Sequence, residues 1–245
     1  MNVRYYNEYS QCLNRDMEYL VYGDGGIPIL VFPAQDGHCQ DYENFGMVDV
    51  VKDKIESGLI QLFCVGSIDE ETYSDEMGNK GHRSYLLEQF YYHICDEMVP
   101  RIKEINGSGK MIYTTGCSLG ASHAVNIMLR RPDIFMGCIG LSGYYDTDLF
   151  FGDYVDENIY NNSPLKYLNG MNSNHSYINL YNNRKIILCC GQGAWEDEMV
   201  KSSSLMKDTF ARLQVNAWVD FWGYDVNHDW DWWQKQLPYF IDKII

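Results

Sequence analysis

A chain of 245 residues with 46% hydrophobic content suits one α/β domain and is too apolar for bulk disorder. Its first eleven residues hold no apolar run of signal-peptide type, and nowhere do about 18 apolar residues occur together, so a soluble, cytoplasmic protein is expected. A net charge of −15 argues against nucleic acid or an anionic membrane as partner.

In chain order, residues 17–22 predict an antiparallel edge strand. Residues 27–33 (IPILVFP) are a short branched run bounded by turn signals, as are 59–66, 110–116, 137–142, 184–190 and 216–222. Continuous apolarity over this length marks strands buried on both faces. Helical spacing fills the gaps. Residues 44–57 align Val48, Val51 and Ile55 before the stop at Gly58; residues 84–105 align Leu87, Tyr91, Ile94, Met98 and Ile102, with a kink or break at Pro100. Residues 119–130, 196–213 and 230–245 complete the set. The alternation predicts a single α/β domain over 1–245, its sheet mostly parallel and covered by helices on both faces. Residues 144–183, rich in Asn, Tyr, Asp and Ser, break the pattern and are expected to form a long loop or lid-like segment.

The eight cysteines include Cys64, Cys138, Cys189 and Cys190 inside apolar runs, where a thiol behaves as a small hydrophobe. No CxxC pair or Cys/His cluster has metal spacing, so neither metal nor cofactor is expected.

Gly116-Cys117-Ser118-Leu119-Gly120 matches G-x-S-x-G. The pattern is short, but an apolar strand runs into it and an apolar helix leaves it. Such a turn exposes the serine hydroxyl above the sheet and needs small neighbours, which Gly116, Gly120 and Ala121 supply. Cys117, at the x position, is expected to point away. A serine nucleophile needs a base. Of six histidines, His228 stands after the last predicted strand, where the chain order Ser, acid, His requires it. The acid must follow the strand at 184–190, where Glu196, Asp197 and Glu198 are adjacent and spacing alone does not choose among them. The Leu119 amide is one expected oxyanion donor. The other comes from Ala34-Gln35-Asp36-Gly37-His38, with Asp36 preferred and Gln35 second. Gln35, Trp195 and Trp230 are candidate substrate-binding residues, the two tryptophans being equally readable as packing. Phe150, Phe151 and Tyr154 give the 144–183 segment an aromatic wall able to stack on a ring or sugar.

These residues resemble the esterase family of α/β-hydrolases that includes feruloyl esterases, S-formylglutathione hydrolases and mycolyltransferases, from about Pro28 to the C-terminus. Asn227-His228-Asp229-Trp230 with Trp233 and Leu237-Pro238 looks like the family's His-x-Trp-x-x-Trp segment, whose His is the base. Lys207-Asp208-Thr209-Phe210 resembles the run that follows the acid in mycolyltransferases, which implies Glu196; other members use an Asp shortly after the strand, which keeps Asp197 as the alternative acid. Asp41-Tyr42 sits where members carry an Asp-Tyr pair, mapping the second oxyanion donor onto Asp36. The loop departs from the family's His-Gly or Asp-Gly start. The resemblance implies an α/β-hydrolase fold and a serine esterase acting on a small-molecule ester through an acyl-enzyme, with the triad Ser118, Glu196 and His228. Two alternatives stand beside it: an acyltransferase with the same triad, and a non-catalytic binding protein on the same scaffold. The sequence leaves the oligomeric state open.

Overall fold

The computed structural model describes residues 1–245. Eight strands form one sheet: β1 (Val3–Ser10), β2 (Arg15–Tyr22), β3 (Ile27–Phe32), β4 (Ile60–Val65), β5 (Ile112–Cys117), β6 (Phe135–Leu141), β7 (Lys185–Cys190) and β8 (Ala217–Phe221), in the order β1-β2-β4-β3-β5-β6-β7-β8. The β1–β2 and β2–β4 pairs are antiparallel and every other pair is parallel. The six apolar runs read from the sequence are the six parallel strands; along β3 to β7 almost every side chain on either face meets a helix rather than water, while β8, at the sheet edge, is only partly covered.

The helices are α1 (Asp41–Asn44), α2 (Lys52–Glu56), α3 (Lys80–Tyr92), α4 (Val99–Asn106), α5 (Leu119–Arg130), α6 (Asp148–Phe151), α7 (Glu157–Asn161), α8 (Pro164–Asn169), α9 (Ser176–Asn182), α10 (Asp197–Leu213) and α11 (Trp230–Ile241). Leu30, Phe32, Cys138 and Leu188 point to the face covered by α3, α4, α5 and α10. Ile29, Val31, Ile139 and Cys189 point to the other, against α1, α2 and α11. Two apolar cores therefore clamp one sheet. No helix is long and apolar enough to cross a membrane.

Four expectations need correction. Residues 17–22 lie in a strand, but not at the edge: β1 lies outside it. Its sequence, VRYYNEYS, leaves one side exposed and the other half-covered, so it has no apolar signature. The helix expected over 44–57 breaks at Gly46, whose φ of +72° no continuing helix can hold, into α1, a 3-10 turn (Asp49–Val51) and α2; Val48, Val51 and Ile55 still bury together. The helix over 84–105 opens into one π-turn, His93–Met98, ahead of Pro100. Proline lacks the N–H of an ordinary turn and crowds the carbonyl four residues back, and the wider turn relieves both. Residues 144–183 carry four short helices, α6 to α9, rather than open loop; side-chain caps at Asp156 and His175 start α7 and α9.

The π-turn carries Glu97, which binds the β1–β2 connection. Its carboxylate accepts from Ser10 Oγ (2.6 Å), Gln11 N–H (2.8 Å) and Cys12 N–H (3.1 Å), and lies 2.7 Å from His93 Nδ1. Burial pushes this carboxyl up, but the hydrogen bonds outweigh it and hold it down at about 2. Burial also lowers His93. A folded value below the unfolded one means stability present at neutral pH and lost as pH falls from the ordinary glutamate range toward 2. We predict that Glu97→Gln costs about 2 kcal/mol at pH 7, after allowance for partial solvent screening, and about 1 kcal/mol or less at pH 3, the remainder vanishing only below about pH 2. Urea melts at the two pH values check this.

Candidate active site

The site lies where β3, β5, β6 and β7 end. Six non-glycine residues have a left-handed backbone, and four of them sit there: Asp36 (φ +57°), Ser118 (+55°), Ser142 (+56°) and Trp195 (+66°). Each costs of order 1–3 kcal/mol and persists only where the surroundings dictate it, which is characteristic of functional loops.

Ser118 turns β5 directly into α5 with φ +55° and ψ −126°. Its N–H donates to Leu141 O at 2.8 Å, carrying the β5–β6 ladder one residue further. The flanking glycines are obligatory for space. A Cβ on Gly116 would stand 2.4 Å from the Gly120 backbone, and one on Gly120 would stand 2.1 Å from Pro33 O. The α5 terminus is thus pressed onto the end of β3. Cys117 points into the core, is fully buried beside Tyr42, and burial pushes its thiol far above the ordinary range.

His228 Nε2 lies 2.9 Å from Ser118 Oγ. Glu196 is 1% exposed, with Oε1 accepting from Ser142 Oγ (2.5 Å) and Gly191 N–H (3.3 Å). Its Oε2 is 3.5 Å from His228 Nδ1. That separation is longer than a hydrogen bond, yet both atoms are buried and neither has another partner, so they face each other alone. The loops that bring them together are clipped by backbone: Gly193 N–H to Val226 O (2.8 Å) and His228 N–H to Ala194 O (3.0 Å), with Ala194 N–H on Asn227 Oδ1 (2.8 Å). Trp233 packs edge-on against the His228 ring at 4.9 Å and donates Nε1–H to Ser142 Oγ at 3.0 Å.

Asp197 begins α10, exposed and without a side-chain hydrogen bond, and is not brought to His228. The Leu119, Gln35 and Asp36 amides donate to no group in the protein, which leaves them open to a ligand. Asp36 Oδ1 accepts from Ser74 Oγ (2.7 Å), and Gln35 Nε2 donates to the same hydroxyl (2.7 Å). The Asp41 carboxylate accepts from His38 N–H at 2.9 Å and pins the end of that loop. Trp195 is 81% exposed beside Glu196. Trp230 is engaged in packing, stacked on Phe45 at 4.5 Å. Phe150 and Phe151 pack with Tyr73 against Leu119; Tyr154 packs against the same cluster and donates its hydroxyl to Asp156. Of the other histidines, His93 and His123 pair with Glu97 and Asp69, and His175 caps α9. The sequence reading missed Ser142 and the Trp233 indole as holders of Glu196. The only local hint was a serine and a glycine closing a buried strand.

A family model described as "Putative esterase" matches residues 10–242. The chain belongs to this esterase family. It is an α/β-hydrolase and a serine esterase. Among solved structures this esterase is similar to a ferulic acid esterase (TM-score 0.77, 15% identity, covering 100% of this chain and 98% of that one). It is also similar to Mycobacterium tuberculosis MPT51 (0.73, 15%, 98% and 97%) and to the S-formylglutathione hydrolase of Staphylococcus aureus (0.67, 13%, 98% and 96%). A search of curated proteins finds no significant sequence match.

The contact of Gly120 with the carbonyls of Pro33 and Phe32 is backbone on backbone, so neither side can yield by a rotamer change. Gly120→Ala is therefore expected to destabilise the esterase by about 3 kcal/mol or more, read from the shift of the urea midpoint.

Proposed function

We propose that this esterase hydrolyses a small-molecule carboxylic ester through an acyl-enzyme on Ser118, with His228 as base and Glu196 as the acid that orients it. The observation that carries the reading is the 2.9 Å approach of His228 Nε2 to Ser118 Oγ. Ser118 Oγ attacks the acyl carbon as His228 Nε2 takes its proton. The carbonyl oxygen becomes an oxyanion held by the Leu119 and Asp36 amides, the first of these at the positive end of α5. His228 then protonates the departing alcohol, and water activated by the same imidazole releases the acid. Glu196 Oε2, with its sole facing partner in His228 Nδ1–H, fixes the tautomer and stabilises the imidazolium. The 3.5 Å separation shortens as charge develops on the ring. The aromatic wall of Tyr73 and Phe150 beside Leu119 gives the acyl or alcohol part an apolar surface.

The acid assignment is testable on short p-nitrophenyl esters. Glu196→Gln is expected to lower kcat by about 10³-fold, while Asp197→Asn stays within about twofold of wild type. The reverse ranking would make Asp197 the acid. Product analysis with competing alcohols separates hydrolysis from transfer: free acid is expected to dominate, and ester product in excess would make the protein an acyltransferase.

A further inference from the structure

A second buried histidine–carboxylate pair lies outside the triad. His123 stands five residues past Ser118 on α5, and its Nε2 is 2.9 Å from Asp69 Oδ1 in the turn after β4. The Asp69 side chain is fully buried and its Oδ2 has no partner. The imidazole is enclosed by Phe90 (5.3 Å), Tyr73 (5.5 Å) and Phe32 (5.9 Å). A buried carboxylate with one unmatched oxygen is costly, and an apolar pair of the same shape would fill this space more cheaply.

What the pair joins gives it a purpose. Asp69 O accepts the N–H groups of Thr72 (3.0 Å) and Ser74 (2.8 Å), which shapes residues 69–74 into a tight turn. Arg83, nearly fully buried, braces that turn by donating to Thr72 O (2.6 Å) and Tyr73 O (3.1 Å). Ser74 Oγ then donates to Asp36 Oδ1 and accepts from Gln35 Nε2. Ser67, just upstream, donates both N–H and Oγ–H to Gly37 O. The post-β3 loop, with its left-handed Asp36, is thus hung on the post-β4 turn, and that turn is fastened through Asp69 to the helix that starts at Leu119.

We infer that Asp69 and His123 are positioning residues. Through Ser74 they fix the separation of the Asp36 and Leu119 amides, and with it the fit of the oxyanion hole. The inference rests on the proposed roles of Ser118, Leu119 and Asp36. Gly120 packs α5 directly against Pro33, but beyond that contact the two loops share no strand pairing, and this chain of hydrogen bonds is what ties the Asp36 side chain to α5. Displacing one donor by a fraction of an ångström weakens an interaction that acts chiefly in the transition state.

The test compares wild type, Ser74→Ala, Asp69→Asn and the double variant. It measures kcat and KM on p-nitrophenyl acetate, the inhibition constant of 2,2,2-trifluoroacetophenone, and thermal melts. Addition of Ser118 Oγ to the ketone carbonyl creates an oxyanion in the site without turnover. Ser74→Ala removes one hydroxyl from a half-buried turn, so it keeps the test open even where Asp69→Asn folds poorly. The expected result is a loss of about 10-fold in kcat with KM within about twofold, and an equal loss of ketone affinity. The double variant should lose no more than the worse single one, because both break the same chain. Lowered melting temperature with kcat and ketone affinity intact would overturn the inference and leave the pair a core contact. Wild type that neither hydrolyses the ester nor binds the ketone would instead overturn the proposed function, and this inference with it.

Discussion

The structure depends on one tight contact, the packing of the α5 terminus against the end of β3. Gly120 approaches the carbonyls of Phe32 and Pro33 too closely for any side chain. This forces β5 to become α5 within a single residue, and that residue, Ser118, is held left-handed. Three consequences follow from one geometry. The hydroxyl stands at the rim of the sheet, the first free amide of the helix lies beside it, and the positive end of the helix dipole faces the same point.

Around that turn, neighbouring strand ends bring the other members of the proposed triad together. β6 leads into Ser142, which joins the Trp233 indole to Glu196. β7 leads to Glu196, whose buried carboxylate is satisfied on one oxygen and faces only His228 on the other. The His228 loop is clipped to the Glu196 loop by backbone pairs, so imidazole and carboxylate keep their relation without relying on flexible side chains. Strain at Asp36, Ser142 and Trp195 is confined to these loops, while the strands beneath hold ordinary backbone and continuous apolar packing. Rigid sheet and strained rim divide the work between stability and placement.

Much of this was legible in the sequence, and for local reasons. All the parallel strands but β8 announce themselves because both faces are buried, and α5 reads cleanly because its twelve residues combine helical spacing with a small-residue start. Motif, flanking elements and chain order single out Ser118 and His228, and the structure sets their side chains 2.9 Å apart. Glu196 and Asp197 are adjacent and chemically equivalent in the sequence. Only the cap geometry of α10 turns one inward and leaves the other in water. β1 escaped notice because its residues face solvent on one side. Ser142 and the Asp69–His123 pair were out of reach for another reason. Their partners lie 54 residues away in each case, and no local pattern encodes contacts made by strand order.

The central claim is that Ser118 is a nucleophile activated by its surroundings. Intact-mass measurement after exposure to a fluorophosphonate addresses it most directly. Displacement of fluoride by Ser118 Oγ should add one phosphonyl group to the wild-type chain and none to a folded Ser118→Ala variant, although eight free cysteines and many hydroxyls remain in both. An unmodified wild type, or an adduct that survives in Ser118→Ala, would contradict the account.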